Sequence, residues 1–563
     1  MKSPRPDCEK THFVKSMLVI TALIFFIFCS HSHVQADEYI WIDGSDSVGV
    51  LSTNITGFLQ GVDLGQDLSD SLTELLTPKS WRLSKLQSLQ EAIQYSPKIT
   101  YVLSDRYAWN NGGYQQVNPW NDWAEYENFT LQTVQSLEYY YPGAIEYWDI
   151  WNEPDHPYFW HGTYEQLLEL FARTFNVVKT VDPEAKIVGP SVSWYQPGNP
   201  GVANVTGFLH DLDSLYGVKM GVVSWHENNS MFDTGIGPER IPSDAAQIRA
   251  SLEYYFGPEY QPELHINEFA GMREHLSPGF SLGYLYYLDM SGVDQAMRAC
   301  WNVYSQYDEP FFWCDCWGGL DGMFMEDGST PQVVYWIYKA YSDMAGLPRI
   351  ATTFSETNSC VMAVKNDSTE TIQILAGRYR NENDENVVVS IQEYPYQHDS
   401  VVVQQWSIPH HPEFFESRPR AIAMPEGPVD WRTRQIEVIG NSLAFDINNF
   451  EPNDAYFVTV ENISQQTNIT EDADISDIVL AAANYPNPFN AQTVISYSLL
   501  EASNVTIDIF DIVGRKMKTM AEGVMPAGEH SVIWDASGQA SGIYFYRIKA
   551  GDRVEIKRMA LLK

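Results

Sequence analysis

From about Thr56 to Leu347 short apolar runs alternate with longer amphipathic segments. The runs are GFLQGVDL from Gly57, SWRLS from Ser80, KITYVLS from Lys98, AIEYWDIW from Ala144, AKIVGPS from Ala185, VKMGVVSWH from Val218, ELHINEF from Glu263 and QAMRACWN from Gln295, eight in all. Each is the length of a buried strand, and the segments between them are long enough for helices. In YEQLLELFARTFNVVKTV, which starts at Tyr164, Leu167, Leu168, Phe171, Phe175 and Val178 recur at helical spacing, and Asp182-Pro183 stops the helix. Eight strand-then-helix units describe an α/β fold of the (β/α)8 TIM-barrel type. A doubly wound sheet is the alternative, but no Gly-rich phosphate loop follows the first strand.

After Pro348 the helical period gives way to strand alternation: SCVMAVKN, TIQILAGRY, VVVSIQEY, VVVQQWSI, RQIEVIG, SLAFDI and AYFVTVEN. These runs, with turn residues between them, predict a β-sandwich. The segment from Ser464 to Ala483 is polar and acidic and reads as a linker. From Asn484 a third block of alternating strands begins, with nine Lys or Arg against eight Asp or Glu. The expected organisation is therefore a signal peptide at residues 1–36, a barrel at 37–347, a sandwich at 348–463, a linker at 464–483 and a terminal immunoglobulin-like sandwich at 484–563.

The leader changes the compartment. Lys2, Arg5, Lys10 and Lys15 precede an apolar run from Met17 to Cys29, and Val34-Gln35-Ala36 forms a small-x-small cleavage signal. The apolar run is shorter than the roughly 20 residues that span a bilayer, so no membrane insertion of the mature chain is expected. Four basic and two acidic side chains leave with the leader, which takes the net charge from −38 to −40. So acidic a surface excludes nucleic acid and anionic membranes as partners. Of the six cysteines Cys300, Cys314, Cys316 and Cys360 remain, and export makes a disulfide among them plausible, with three pairings open. Cys314-x-Cys316 lacks the spacing of a zinc site and no His cluster stands near it, so neither metal nor other cofactor is expected.

The chemistry gathers at two strand ends. YWDIWNEPD runs from Tyr147 to Asp155, and Pro154 cannot continue a ladder, so the strand is expected to end at Glu153. A carboxylate that only caps the helix beginning near Tyr164 is the bland alternative. A second carboxylate, Glu268, ends the seventh run in LHINEFA. Barrel active sites lie at the C-terminal ends of the strands, so both reach one mouth. Hydrolysis of a glycosidic bond needs such a pair, one carboxyl protonated to release the leaving oxygen and one ionised to attack.

With those residues in place, the chain resembles the clan A glycoside hydrolases, whose acid/base and nucleophile stand on strands four and seven. Trp151-Asn152-Glu153-Pro154, Phe159-Trp160, Tyr164 and Gly189-Pro190 occur in the order found in glycoside hydrolase family 39, which includes β-xylosidases. One departure is Asn267 before Glu268, where that family is expected to carry threonine. The resemblance implies a retaining mechanism and further roles: Asn152 on the sugar 2-hydroxyl, Arg82 on the nucleophile, His226 beside it, and Trp301 under the sugar ring, with Trp313 and Trp317 competing. Trp109 and Trp160, like Trp120, Trp123 and Tyr158, follow strand ends and could stack on sugars, with core packing as the alternative.

The terminal block resembles the sorting domain of the type IX secretion system through Tyr485-Pro486-Asn487-Pro488-Phe489-Asn490, Asp511-Ile512-Val513-Gly514-Arg515 and Ser541-Gly542-Ile543-Tyr544. That likeness implies the secretion machinery as a partner and a secreted or cell-surface location reached through the periplasm. The expected function is a secreted retaining β-glycosidase acting on a β-linked oligo- or polysaccharide. The competing reading is a surface protein that only binds carbohydrate on a degenerate barrel. Such a barrel is expected to lose one carboxylate, and both are present.

Overall fold

The computed structural model describes residues 38–60, 68–197, 201–227, 237–270, 276–299, 320–325, 327–354, 359–379, 385–410, 423–425, 427–462, 481–485, 489–499, 502–511, 516–526, 528–550 and 553–563. The leader expected at residues 1–36, Trp301, Trp313, Trp317, Cys300, Cys314 and Cys316 lie outside them. Two units are present, residues 1–463 and 464–563.

The first described strand, β1 (Glu38–Val50), is not part of the barrel. The barrel closes through β2 (Gly57–Leu59), β3 (Ser80–Leu83), β4 (Ile99–Val102), β5 (Ile145–Asp149), β6 (Lys186–Val192), β7 (Val222–Glu227), β8 (Glu263–Phe269) and β9 (Gln295–Arg298), all parallel, with β9 pairing back to β2. Each of the eight apolar runs thus contributes a barrel strand. Trp81, Trp148 and Trp225 are buried in the core that the strands share with the surrounding helices. The helix Tyr164–Val181 has the bounds its periodicity predicts. Thr163 caps it, accepting from the Gln166 N–H at 3.2 Å while the Gln166 side chain accepts from the Thr163 N–H at 2.8 Å, a reciprocal capping box. Glu153 takes no part in that cap, which removes the bland reading of its carboxylate.

The sandwich uses nine strands in the order β15-β14-β17-β12-β11-β10-β1-β13-β16, where β10 is Pro348–Phe354, β11 Ser359–Asn366, β12 Thr371–Arg378, β13 Glu385–Gln392, β14 Ser400–Ile408, β15 Val429–Glu437, β16 Leu443–Phe450 and β17 Ala455–Asn462. Strand β1 pairs antiparallel with β10 and parallel with β13, burying Ile40 and Ile42 in the sandwich core. The sheet packs on the barrel helix Pro278–Ser291, and one apolar cluster runs across the joint through Phe280, Leu282, Cys360 and Leu375. Gly279 permits this approach: a Cβ there would lie 1.9 Å from the Arg378 carbonyl oxygen. Cys360 is a buried free thiol whose S–H meets the Gly377 carbonyl at 3.5 Å, so it forms none of the disulfides its export would allow.

The terminal unit holds a three-stranded sheet (β18 Ala481–Tyr485, β19 Gln492–Leu499, β22 Gly528–Asp535) and a four-stranded one (β20 Ser503–Asp511, β21 Lys516–Met525, β23 Gly542–Ala550, β24 Arg553–Leu561), all antiparallel. They share a core of Ile495, Ile507, Trp534, Tyr546 and Leu561. No helix among the described residues is long and apolar enough to cross a membrane.

A polar knot closes the floor of the barrel, at the N-terminal ends of its strands. Glu263 accepts from Lys186 Nζ at 2.6 Å and from the Tyr147 hydroxyl at 2.8 Å, and lies 3.0 Å from His265 Nε2. Burial alone would raise the Glu263 pKa, but the bonds from His265, Lys186 and Tyr147 outweigh it and hold the carboxyl well below its usual range. Burial lowers the His265 pKa. Both shifts act in one direction. A carboxylate depressed in the folded state gives stability above its unfolded pKa of about 4.3, and a buried neutral imidazole gives it above about 6.5; both contributions are lost as pH falls. Glu263→Gln is expected to cost about 1–3 kcal/mol at pH 7 by weakening the bonds to the buried Tyr147 and His265, and to lessen the loss of stability between pH 7 and 3, chiefly below about 4.3. Urea unfolding at the two pH values, followed by Trp fluorescence, checks this; a variant as stable and as acid-sensitive as wild type would contradict it.

Candidate active site

Arg82 is the hub. It ends up at the C-terminal side of β3, 1% exposed, and spends its guanidinium on three partners. Nε meets Asp149 Oδ2 at 2.9 Å, Nη1 meets Glu268 Oε1 at 2.6 Å, and Nη2 meets Asn152 Oδ1 at 2.7 Å. Burial works against its charge, but Asp149 and Glu268 more than restore it, and the Arg82 pKa stands above its ordinary value. A cation so buried needs fixed anions, and these carboxylates supply them.

The ladder of β5 ends at Asp149, paired with Val188, rather than at Glu153. Asp149 is drawn inward to Arg82, to the Ser191 hydroxyl at 2.9 Å and to Asn267 Nδ2 at 2.9 Å. The chain then runs on beyond the sheet. The Asn152 N–H donates to Ser104 Oγ at 2.9 Å and the Glu153 N–H to the Ser191 carbonyl at 2.9 Å. Glu153 adopts φ +45°, and positive φ also occurs at Gln60 (+51°) after β2, Ser191 (+54°) in β6 and Ala270 (+98°) after β8. Such backbone costs about 1–3 kcal/mol per residue and persists where the surroundings enforce it. All four residues stand at the C-terminal ends of barrel strands.

Glu153 and Glu268 are 6% and 4% exposed. His226, at the end of β7 and opposite Glu268 in the strand register, lies between them, with Nδ1 3.0 Å from Glu153 Oε1 and 3.5 Å from Glu268 Oε2. One oxygen of each glutamate and a ring nitrogen of His226 all fall within 4.8 Å of one another. Three such groups could ligate a cation, but the Arg82 guanidinium already supplies positive charge at 2.6 Å. Burial raises the Glu153 pKa to about 7, with Asp155 adding to it. Burial also raises Glu268, opposed by His226 and Arg82. The expectation that Arg82 keeps Glu268 ionised thus meets an opposing burial cost. What separates the two carboxyls is contact: Arg82 bonds Glu268 directly and Glu153 only through space. Burial lowers the His226 pKa and keeps the ring neutral.

Of the residues singled out in the sequence, the fold brings together Arg82, Asn152, Glu153, His226 and Glu268. Trp109 is 43% exposed on the helix Leu103–Asn110 that follows β4, with Lys85 Nζ 5.5 Å from its ring. Trp160 is only 9% exposed. It meets Trp120 and Trp151 edge-on at 4.8 and 5.2 Å and donates Nε1–H to the Thr163 carbonyl at 3.3 Å, so it braces Trp151 beside Asn152.

Several supporting residues escaped the sequence reading. Asp149 is one, although a lone acid inside YWDIW is a signal that could have found it. Asn267 offers two amide hydrogens where a threonine offers one, reaching Asp149 and, at 2.8 Å, Ser191 Oγ. Asp105 on the wall of the mouth accepts from the Tyr114 hydroxyl, which also meets Ser104 Oγ at 2.9 Å. Burial raises the Asp105 pKa while Arg82 and Tyr114 pull it down.

Comparison with known proteins agrees with this architecture. Residues 483–561 match the family described as "Secretion system C-terminal sorting domain", so the chain carries an export-sorting tail. No curated protein matches the chain in sequence. Among solved structures, the chain is similar to N2152 from Neocallimastix frontalis (17% identity, TM-score 0.57, 76% of this chain and 99% of that one). It is also similar to a glucosidase from Croceicoccus marinus (16%, 0.54, 77% and 100%) and to the GH39 enzyme from Xanthomonas axonopodis pv. citri (14%, 0.52, 78% and 99%). At these identities the likeness is one of fold: the barrel and its accompanying sheet are shared with family 39 and other clan A glycosidases.

Proposed function

We propose that the chain is a secreted retaining β-glycoside hydrolase that cleaves β-linked oligo- or polysaccharides by double displacement. The observation that carries this reading is the buried Glu153–Glu268 pair, oxygen to oxygen within 4.8 Å. Retaining enzymes hold their carboxyls about 5–5.5 Å apart, and inverting ones about 6.5–9.5 Å apart to admit a water. With Oε1 held by Arg82, Glu268 Oε2 attacks the anomeric carbon. The bond to the leaving oxygen breaks, and that oxygen takes the Glu153 proton. Glu153, now a carboxylate, removes a proton from water, which attacks the anomeric carbon and returns Glu268 to its ionised form. Arg82 Nη2 donates to the Asn152 side-chain oxygen, which turns the amide NH2 toward the sugar 2-hydroxyl.

Trp109 and Tyr158, both exposed, are aromatic residues available to stack on a sugar outside the reacting position. Trp301, Trp313 and Trp317, the candidates for the floor beneath the reacting ring, lie outside the described residues. Residues 484–563 direct the chain through the type IX machinery to the surface or medium after the leader is removed. The net charge of −38 favours a neutral main-chain polymer by long-range repulsion of polyanions.

Hydrolysis of a panel of β-xylans, β-glucans, mannans and galactans tests the activity; full-length protein that releases no sugar from any of them, or from aryl β-glycosides, would overturn it. The pH profile tests the assignment of the acid. Because Glu153 must be protonated and its pKa is near 7, kcat/KM is expected to fall as pH rises through about 7. For aryl glycosides with good leaving groups, the alkaline limb is expected to weaken. An alkaline limb at or below pH 5 would contradict the assignment.

A further inference from the structure

A cavity of about 440 Å3 lies between the helices Leu103–Asn110 and Trp123–Tyr140, with Leu86 and Tyr101 also lining it. Its size is within the range of about 300–1,000 Å3 typical of small-molecule sites. Along the helix Trp123–Tyr140 the residues Phe129, Gln132, Thr133, Ser136 and Tyr140 line it together with the buried Leu137, while Tyr126, Thr130 and Val134 face the core. A packing face would be expected to carry apolar residues there; this one presents hydroxyls and aromatic rings.

The other wall contributes Tyr101, Arg106 and Asn110. Arg106 is partly buried and makes no hydrogen bond or ion pair among the described residues. That is unusual in a chain with 73 acidic and 35 basic side chains, where carboxylates are abundant and guanidinium groups are soon claimed. Asn110 and Ser136 are exposed and Thr133 is half-buried, and none of the three side chains has a hydrogen-bond partner among the described residues. An unpaired planar guanidinium, an amide, two hydroxyls and aromatic faces around one cavity are the chemistry of a sugar that carries a carboxylate. The guanidinium would take the carboxylate in a two-point contact, the hydroxyls and amide the ring hydroxyls, and the aromatic rings the apolar face of the sugar.

We propose that this cavity is a second, non-catalytic carbohydrate site that binds a single uronate unit, such as a side-chain decoration on an otherwise neutral polysaccharide. The strongly acidic surface repels a polyanion, whereas one carboxylate seated on Arg106 is locally compensated. The site would hold a decorated chain on the barrel without entering the chemistry.

Calorimetric titration of the full-length protein with a glucuronate-substituted xylo-oligosaccharide and with the undecorated oligosaccharide of equal length tests the proposal. Glu268→Gln is used as background so that neither ligand is consumed. The decorated ligand is expected to bind at least tenfold more tightly, and Arg106→Gln to abolish that difference. In the wild-type background Arg106→Gln should leave kcat on a small aryl glycoside unchanged, which also shows that the variant folds. Equal affinity for the two ligands, or a preference that survives Arg106→Gln, would overturn the proposal. So would competition by inorganic sulfate as effective as competition by the decorated ligand, because it would mark a site for any anion. Binding is read without turnover, so this result stands apart from the success or failure of the hydrolase reading.

Discussion

Glu268→Gln is expected to lower kcat on every glycoside by on the order of 10^4-fold or more, the scale on which loss of a nucleophile acts. The amide is close in shape to the carboxylate and can still meet Arg82, so folding should survive. It cannot form the ester to the anomeric carbon, and no leaving group, however good, can compensate. The variant should therefore show no burst of released aryl alcohol and no covalent adduct by intact mass. Residual activity within a hundredfold of wild type would remove Glu268 from the role. Removing its charge also leaves Arg82 with Asp149 as its sole contacting carboxylate among the described residues, so the Glu153 pKa near 7 should drop as the neighbouring negative charge disappears.

Glu153→Gln has a different signature. Natural glycosides need a proton on the leaving oxygen, so their turnover should fall by about 10^2–10^4-fold, the contribution of a positioned general acid. Aryl glycosides with good leaving groups need little protonation and should still form the glycosyl-enzyme, which then accumulates because no base activates water. Azide needs no base. Added azide should restore turnover, and the product should be the β-azide, because attack comes from the face opposite the Glu268 ester. An α-azide, or rescue of Glu268→Gln in place of Glu153→Gln, would exchange the two roles. The neutral His226 ring, 3.0 Å from Glu153 Oε1, makes this proton placement sensitive to its surroundings. Its Nε2 is buried without a hydrogen-bond partner, so the ring has little to gain from becoming charged.

The barrel was legible because each of its strands is followed by a helix, so the change of period is local and repeats eight times. The helix at Tyr164 shows this best: one apolar stripe, one capping box and one Asp-Pro stop fix both of its ends. Strand β1 was not legible as a sandwich strand, because its partners in β10 and β13 lie roughly 300 residues further along the chain and local alternation says nothing about the partner. The glutamates were visible through Asn152 and Pro154 on one side and the strand-ending NEF on the other. The support beneath them was not visible. Asp149, Asn267 and Ser191 meet by hydrogen bonds across three strands, and no spacing rule joins residues so far apart. Trp160 illustrates the same limit in reverse, since an aromatic beside a site motif looks the same in sequence whether it stacks on sugar or, as here, packs edge-on against Trp151.

The central claim is that Glu268 and Glu153 act by two successive displacements at one anomeric carbon. Proton NMR of the sugar released in the first moments of hydrolysis, before mutarotation, reads this directly. The account predicts a first-formed product with the β configuration of the substrate; an α product would show a single displacement by water and contradict it.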